Sequence, residues 1–316
     1  MKRRTSWAAG WLCAVLAAGH ACAATDEEEL ARIYGSEEMI ELATGGRQAL
    51  NRAPSIATVI SGAEIRAMGA TDLDQVLAAV PGLHVSYSPL GYNPIYVMRG
   101  VVSDTNPQML VLVNGIPVTN LFAGNRGQGW GGMPVNNIAR IEVIRGPGSA
   151  LYGADAFAGT INIVTRTAQD IRGTEAGARA GSFNTREAWL LHGGRWGGFD
   201  TALALEWRAT DGQKRLIEAD AQSFYDAQFN TRASLAPGPV NARRDAVEAR
   251  LDLARGDWRL RMGYQGRRDL GTGAGIAQAL DPQGKRESDR INADLTYDKP
   301  DFSEKWEVNA QLRTYP

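Results

Sequence analysis

The chain has 316 residues, enough for about two domains. Hydrophobic residues make up 44% and charged residues 22%, which excludes wholesale disorder, and a formal net charge of −1 gives no electrostatic support for a nucleic-acid partner. Three histidines and two cysteines are too few for a thiolate zinc site, and 36 glycines favour strands and turns.

Residues 1–24 have the pattern of a secretory signal peptide. Three basic residues near the start precede an apolar stretch that is too short for a membrane span, and Ala21-Cys22-Ala23 fits the small-x-small cleavage motif. Cleavage there would remove both cysteines and change the net charge from −1 to −4. We therefore expect an exported chain without disulfides.

Residues 25–50 begin with acidic residues and end with polar residues and glycine, which predicts a flexible segment without a core. A β-branched strand follows at 55–60, and Ser61 with Glu64 forms a helix-initiating capping box. Thr71 is predicted to cap a second helix.

Short β-rich segments follow the two helices and complete an α/β unit that extends to about residue 170. One of them contains an Asn114-Gly115 pair, which is typical of a hairpin turn. The predicted strand regions are 82–88, 95–100, 109–118, 138–146 and 158–166.

Seven segments after residue 171 alternate apolar and polar side chains. They have 8–12 residues each, close to the length of about 9–11 residues of a tilted strand that crosses a bilayer, and aromatic residues stand near their ends. The polar set is heavily charged, which favours a membrane barrel with a wet interior over a soluble exported β-sandwich that serves as a binding module. The segments are 174–181, 186–193, 200–210, 243–254, 258–267, 290–297 and 306–313.

The connections between these segments differ in length. Residues 211–242 and 269–288 form two long connections on one side, whereas the connections on the other side are short, as in outer-membrane barrels. Seven is an odd number of strands, and an open edge in lipid would leave backbone groups unpaired. We therefore expect the chain to be a fragment of a larger barrel.

Several motifs in order resemble the TonB-dependent outer-membrane receptors of Gram-negative bacteria. They are the stretch 53–85, "IYVMRGV" with Arg99-Gly100, "MLVLVNGIPV", and the stretch 136–166 with "IEVIRGPGSALYGADAFAGTINIVTR". The resemblance implies an α+β plug domain at 51–170. Residues 171–316 would then form the N-terminal part of an antiparallel transmembrane β-barrel. About seven of about 22 strands would then be present.

The resemblance also implies a segment that binds TonB, the partner that transmits energy from the inner membrane. Such a segment would add as a strand to the partner's sheet, and residues 25–50 would hold it. The alternative is that the same residues merely begin the first plug strand. The candidate TonB box consists of Met39, Ile40, Glu41, Leu42, Ala43 and Thr44.

Ligand contacts are expected in two loops, 86–93 and 121–130, which offer aromatic rings and a cation for an anionic metal chelate. The candidate ligand residues are Tyr87, Tyr92, Asn93, Phe122, Arg126 and Trp130. A second set is expected to have a structural role in the plug, with its charged members paired to charges on the barrel wall. This set consists of Arg99, Gly100, Glu142, Arg145 and Gly146.

The expected function is energy-coupled uptake of a ferric siderophore by a monomer, with no enzymatic activity and no cofactor besides the iron chelate it would carry. Cobalamin, haem or another metal chelate is the alternative cargo. Gly127, Gly129 and Gly132 match a dinucleotide-binding spacing, but no helix follows them, so nucleotide binding is not expected.

Overall fold

The computed structural model describes residues 39–40, 48–49, 56–89, 91–120, 124–127, 129–146, 153–303 and 306–314. The predicted signal peptide and most of the acidic segment after it lie outside these residues. Two short strands open the described part: β1 (Met39–Ile40) pairs antiparallel with β2 (Gln48–Ala49).

The plug is built on a five-stranded sheet. Its helices and strands, in chain order, are β3 (Ile56–Ser61), α1 (Gly62–Ala67), α2 (Leu73–Ala78), β4 (Leu83–Tyr87), β5 (Pro94–Met98), β6 (Met109–Val113), β7 (Ile116–Pro117), β8 (Ile138–Arg145), β9 (Gly159–Thr165) and α3 (Ala168–Ile171). The sheet order is β3-β8-β9-β6-β7, and β6 and β9 run parallel, while β4 and β5 form a separate hairpin. This mixed arrangement is the α+β plug that the sequence predicted.

The first two helices of the plug begin at side-chain caps. The predicted capping box is present, since the Ser61 hydroxyl accepts from the Glu64 N–H and the Ser61 N–H donates to the Glu64 carboxylate at 2.7 Å. The prediction that Thr71 caps α2 is wrong. The cap is Asp72, whose extended backbone lets its carboxylate accept from the Gln75 N–H at 3.0 Å.

An antiparallel sheet, which we call the wall, follows the plug. Seven strands pair in sequence order, and two further strands and a helix lie in the connection 211–243. The elements are β10 (Gly173–Gly181), β11 (Thr185–Trp196), β12 (Phe199–Thr210), β13 (Leu216–Ile217), α4 (Ala221–Phe229), β14 (Gly238–Pro239), β15 (Arg244–Arg255), β16 (Trp258–Gly271), β17 (Lys285–Ser303) and β18 (Trp306–Arg313).

The seven predicted alternating segments correspond one by one to the seven strands of the wall. The strand order β10-β11-β12-β15-β16-β17-β18 leaves β10 and β18 at the two edges, so the sheet is open. Strands β16 and β17 extend beyond their predicted ends, so their connection spans only 272–284. The sequence analysis did not predict α4 in the first long connection.

The strand register separates two faces of the wall. Leu203, Leu251 and Met262 are neighbours across three strands, and one residue along each strand lie Ala204, Arg250 and Gly263. The plug covers the face that carries Arg250, which we call the inner face, while Leu203 and Met262 on the opposite, outer face are exposed. Apolar side chains are thus exposed on one face, and charged side chains are buried on the other. This is the reverse of a soluble sandwich and is the arrangement of a barrel wall in lipid.

Among the described residues, no helix has the length and apolar character needed to cross a membrane.

Candidate functional site

A pair of tyrosines lies at the end of the plug that meets the long connections of the wall, which we call the loop end. Tyr87 closes β4 and Tyr92 belongs to the turn before β5, so the hairpin brings two residues that are five positions apart into contact. Their rings stack with centroids 4.6 Å apart and an interplanar angle of 16°. Tyr92 has φ of 60°, a left-handed conformation that is unusual for a residue with a Cβ and that marks a tight turn.

The wall supplies a cation to this pair. Arg244, the first residue of β15, holds its guanidinium 4.8 Å from the Tyr87 ring and 5.9 Å from the Tyr92 ring. The connection after β12 adds Gln213, whose amide donates to the Tyr92 hydroxyl at 3.1 Å. Plug and wall thus build one site from residues that are more than 100 positions apart.

These residues line a cleft of about 370 Å³, which we call the tyrosine cleft. Its lining combines aromatic rings, hydroxyl and amide groups, and guanidinium groups. Together these groups can stack on a polar aromatic or anionic ligand and form hydrogen bonds with it. The lining includes Thr71, Asp72, Tyr87, Tyr92, Arg179, Arg208, Gln213 and Arg244.

Charged pairs beneath the tyrosine cleft join the plug to the wall. Arg208 of β12 lies 3.2 Å from Asp72, the cap of α2, and Arg244 donates to Asp74 in the same helix at 3.0 Å. Glu187 of β11 lies 3.4 Å from Arg179 and 3.5 Å from Arg208. Three arginines therefore face three carboxylates, and the arginines also border the cleft.

Burial changes the acid–base properties of the plug side of the cleft. Burial raises the pKa of the Tyr87 hydroxyl to about 12, although the nearby Arg244 acts in the opposite direction. Burial and the adjacent Asp74 carboxylate also raise the pKa of Asp72, against the effect of Arg208 and Arg244. Tyr87 is therefore a neutral phenol at physiological pH and can donate a hydrogen bond to a ligand.

The structure places the six candidate ligand residues in different environments. Tyr87, Tyr92 and Asn93 lie together at the loop end, and Phe122 lies outside the described residues. Arg126 and Trp130 are buried in the plug, where Arg126 donates to the Met109 carbonyl at 2.9 Å and Trp130 to the Tyr96 hydroxyl at 2.9 Å. These two side chains lack the exposure that a direct ligand contact needs.

The expected pairing of the second set with charges on the wall is wrong. Glu142 is fully buried and accepts from Arg140 at 2.8 Å, while Arg145 donates to the Pro81 carbonyl and the Thr58 hydroxyl. Arg99 donates to the Arg145 carbonyl at 3.2 Å, and Gly100 and Gly146 follow Arg99 and Arg145 with positive φ. The reason is proximity within the plug, since β8 itself, the adjacent strand β3 and the turn before β4 supply partners for these groups.

Sequence reasoning missed the residues that join plug and wall. The sequence offered no reason to single out Asp72 or Asp74 as partners of the wall, and Arg208 and Arg244 lay simply within the alternating segments 200–210 and 243–254. The alternation in the wall already placed both arginines on its inner face. Their partners could not be named, because the position of the plug against the wall is a tertiary property.

Only part of the candidate TonB box can be described. Met39 and Ile40 pair with Ala49 and Gln48. Residues Glu41 to Thr44 lie outside the described residues, so the box stays a prediction. Within the described part of the chain, no group of three or more His, Cys, Asp or Glu side chains is arranged to hold a metal ion.

Comparison with known proteins identifies the plug. Residues 49–160 match the TonB-dependent Receptor Plug Domain. The chain is 38% identical over 157 residues to the Vitamin B12 transporter BtuB of Vibrio vulnificus, a match that covers 49% of this chain and 25% of that protein. It is 37% identical over 139 residues to an iron-regulated outer membrane virulence protein of Vibrio cholerae, covering 42% and 20% of the two chains.

The solved structures extend the likeness to the wall. The ferripyoverdine receptor of the outer membrane of Pseudomonas aeruginosa aligns with 87% of this chain and 36% of its own, with a TM-score of 0.61 and 18% identity. At that identity the match shows the fold alone. The chain spans about a quarter or less of the length of the curated relatives named above.

Proposed function

We propose that this chain is part of a TonB-dependent outer-membrane receptor of Gram-negative bacteria and takes part in active uptake of a scarce ligand, supported by the plug-domain match and the shared fold of the wall. Its relatives are transporters and receptors rather than enzymes. The observation that carries the proposal is the tyrosine cleft, where the plug and the inner face of the wall jointly present stacked rings and a guanidinium at the loop end.

The ligand that we propose is a ferric siderophore. Iron-chelating groups are commonly anionic and planar, and such groups can stack on Tyr87 and Tyr92 while Arg244 compensates their charge. The tyrosine cleft of about 370 Å³ would hold part of such a chelate, with the remainder among the long connections.

Cobalamin is the second candidate ligand. A specific observation favours it, since the chain is 38% identical over 157 residues to a vitamin B12 transporter. A cobalamin ligand would use the stacked rings more than the cation, because its corrin has little net charge to offer Arg244. The two candidates therefore differ in how strongly uptake should depend on that arginine.

Growth of cells that carry the gene distinguishes the two candidates. We expect deletion of the gene to abolish growth on one member of a panel of ferric chelates, and a copy with Arg244→Gln to restore that growth poorly. Replacement of Arg255, which lies at the opposite end of the same strand, is the matched control and should restore growth fully. Loss of cobalamin-dependent growth, with full rescue by Arg244→Gln, would favour the second candidate.

Energy input follows from the plug. A ligand that is bound tightly leaves slowly, and a plug that fills the barrel blocks its passage, so release inward requires work. We propose that TonB pulls on residues 39–44, which would join the partner's sheet as an added strand. The pair β1–β2 would then open, since Met39 and Ile40 cannot pair with two strands through the same backbone groups.

Deletion of residues 39–44 tests the coupling. We expect uptake to fall to background while the affinity for the ligand at the cell surface stays unchanged. Deletion of residues 27–32 removes the same length of chain from the preceding acidic segment and should preserve uptake. Normal uptake after deletion of 39–44 would refute this assignment of the TonB box.

A further inference from the structure

Asp74 occupies a position between the wall and the interior of the plug. The carboxylate lies in the first turn of α2 with a side-chain exposure of 4%, and its Oδ2 accepts from Arg244 Nη1 at 3.0 Å. Its Oδ1 accepts from the hydroxyl of Tyr96 at 2.8 Å. Each oxygen of one carboxylate therefore serves a different part of the molecule.

The interior side of this contact continues through the plug. Tyr96 of β5 has no solvent exposure, and its hydroxyl accepts from Trp130 Nε1 at 2.9 Å. Asn106 holds the backbone of Tyr96 through two hydrogen bonds of 3.0 Å, and Arg126 donates to Asn106 Oδ1 at 2.6 Å. A displacement of the Asp74 carboxylate would therefore disturb a buried hydrogen-bonded network that reaches the central sheet.

Arg244 has two roles at the same time. It neutralises Asp74, and it presents its guanidinium to the tyrosine cleft over the rings of Tyr87 and Tyr92. Its own side chain is 11% exposed, so solvent compensates little of its charge. An anion that binds in the cleft therefore competes with Asp74 for one cation, and a buried carboxylate that loses its cation is destabilised.

We propose that the Arg244–Asp74 pair is a latch that an anionic ligand loosens. Binding in the tyrosine cleft draws the guanidinium away from Asp74, and α2 and β5 then hold less firmly to the wall. The proposal rests on the cleft being the ligand site, but it makes a separate claim about what occupancy does to the plug. Release of the plug side would prepare it for the pull that frees the ligand.

Hydrogen exchange followed by mass spectrometry tests the latch on the protein purified from outer membranes in detergent, with pyrophosphate as the anionic probe. We expect pyrophosphate to speed exchange of the amides in α2 and β5 by about tenfold, the change that follows from losing part of a buried ion pair. Asp74→Asn should exchange at the faster rate already without the probe, and pyrophosphate should add nothing further.

Arg244→Gln provides the same test from the side of the wall, should Asp74→Asn fail to fold. Asp252→Asn is the matched control, because Asp252 pairs with Arg259 at 2.9 Å on the same wall, away from the cleft. In this variant the amides of α2 and β5 should exchange at the rate of the unchanged protein, and pyrophosphate should speed their exchange to the same extent. Unchanged exchange in α2 and β5 on addition of pyrophosphate, whether or not the anion binds, would overturn the latch. The proposed function would not be affected by that result, because it is tested separately by ligand-dependent growth of cells with and without the gene.

Discussion

Most of the fully buried side chains of the plug are apolar, such as Leu77 and Ile141, which have no solvent exposure. The wall's inner face buries many charged side chains, and Glu248, Arg267 and Asp294 are only 1–2% exposed. The plug follows the rule of a soluble protein, with its apolar groups inside. The wall follows the opposite rule, with apolar groups on its exposed outer face and charged groups on the face that the plug covers, which is the arrangement of a barrel wall in lipid.

The charged interior of the wall requires partners. Glu248 is bound by Arg267 at 2.6 Å and by Arg250 at 3.0 Å, and Asp294 by Arg261 at 2.7 Å. A buried charge without a partner is strongly unfavourable, so these pairs are needed for the inner face to exist at all. One chain thus uses both modes of burial, apolar groups inside the plug and paired charges on the inner face of the wall.

Glu248→Gln tests whether the buried ion pairs stabilise the wall. We expect a loss of about 3–5 kcal/mol in the free energy of unfolding, because Arg250 and Arg267 would keep their charge in a buried site without the carboxylate. Urea unfolding in detergent measures this loss. Glu287→Gln, at an exposed residue on β17 that pairs with Lys285, is the control and should change stability by less than about 0.5 kcal/mol.

Leu77→Ala tests the plug in the same way. The side chain is fully buried in α2, and its loss should leave a cavity and cost about 2–5 kcal/mol. The same urea titration measures this loss. Met68→Ala, at an exposed residue next to α1, should have little effect. Equal effects of the two substitutions would show that the plug lacks the packed apolar core described above.

Met262→Lys tests whether the outer face of the wall meets lipid. A lysine in the middle of β16 on this face should lower stability in lipid vesicles by about 2–4 kcal/mol, while Phe199→Lys at the end of β12 should cost about 1 kcal/mol or less. Stability is measured by urea unfolding in vesicles. Similar values at the two positions would contradict a face whose cost depends on depth in the bilayer.

The smallest effect is expected at the capping box of α1 and depends on pH. The hydrogen bonds from the backbone and side chain of Ser61 lower the pKa of Glu64 below its ordinary value of 4.5. The carboxylate therefore stabilises the folded plug above about pH 4.5, and this contribution is lost as the pH falls through the lowered pKa. Unfolding measured from pH 6 down to pH 3 should show the loss, and Glu64→Gln should remove this part of the pH dependence. An unchanged pH profile in Glu64→Gln would contradict the role of the box.

Much of the secondary structure could be predicted from local patterns. The Ser61–Glu64 box and the seven alternating segments of the wall were recognised because each pattern is complete within one segment. The cap of α2 was missed by one residue, since Thr71 and Asp72 are both good caps and only the backbone conformation at Asp72 decides between them. Arg126 and Trp130 looked like exposed loop residues, but long-range contacts bury them.

The sequence by itself determined that the wall has two unlike faces, because strand geometry sends alternate side chains to opposite sides wherever the strand lies. It also determined the start of α1 and the hairpin turn at Asn114-Gly115, which depend on neighbours in the chain. Only the tertiary structure decided that Arg244 contacts both Asp74 and Tyr87. Those contacts join residues about 150 or more positions apart, and only the docking of the plug against the wall brings them together.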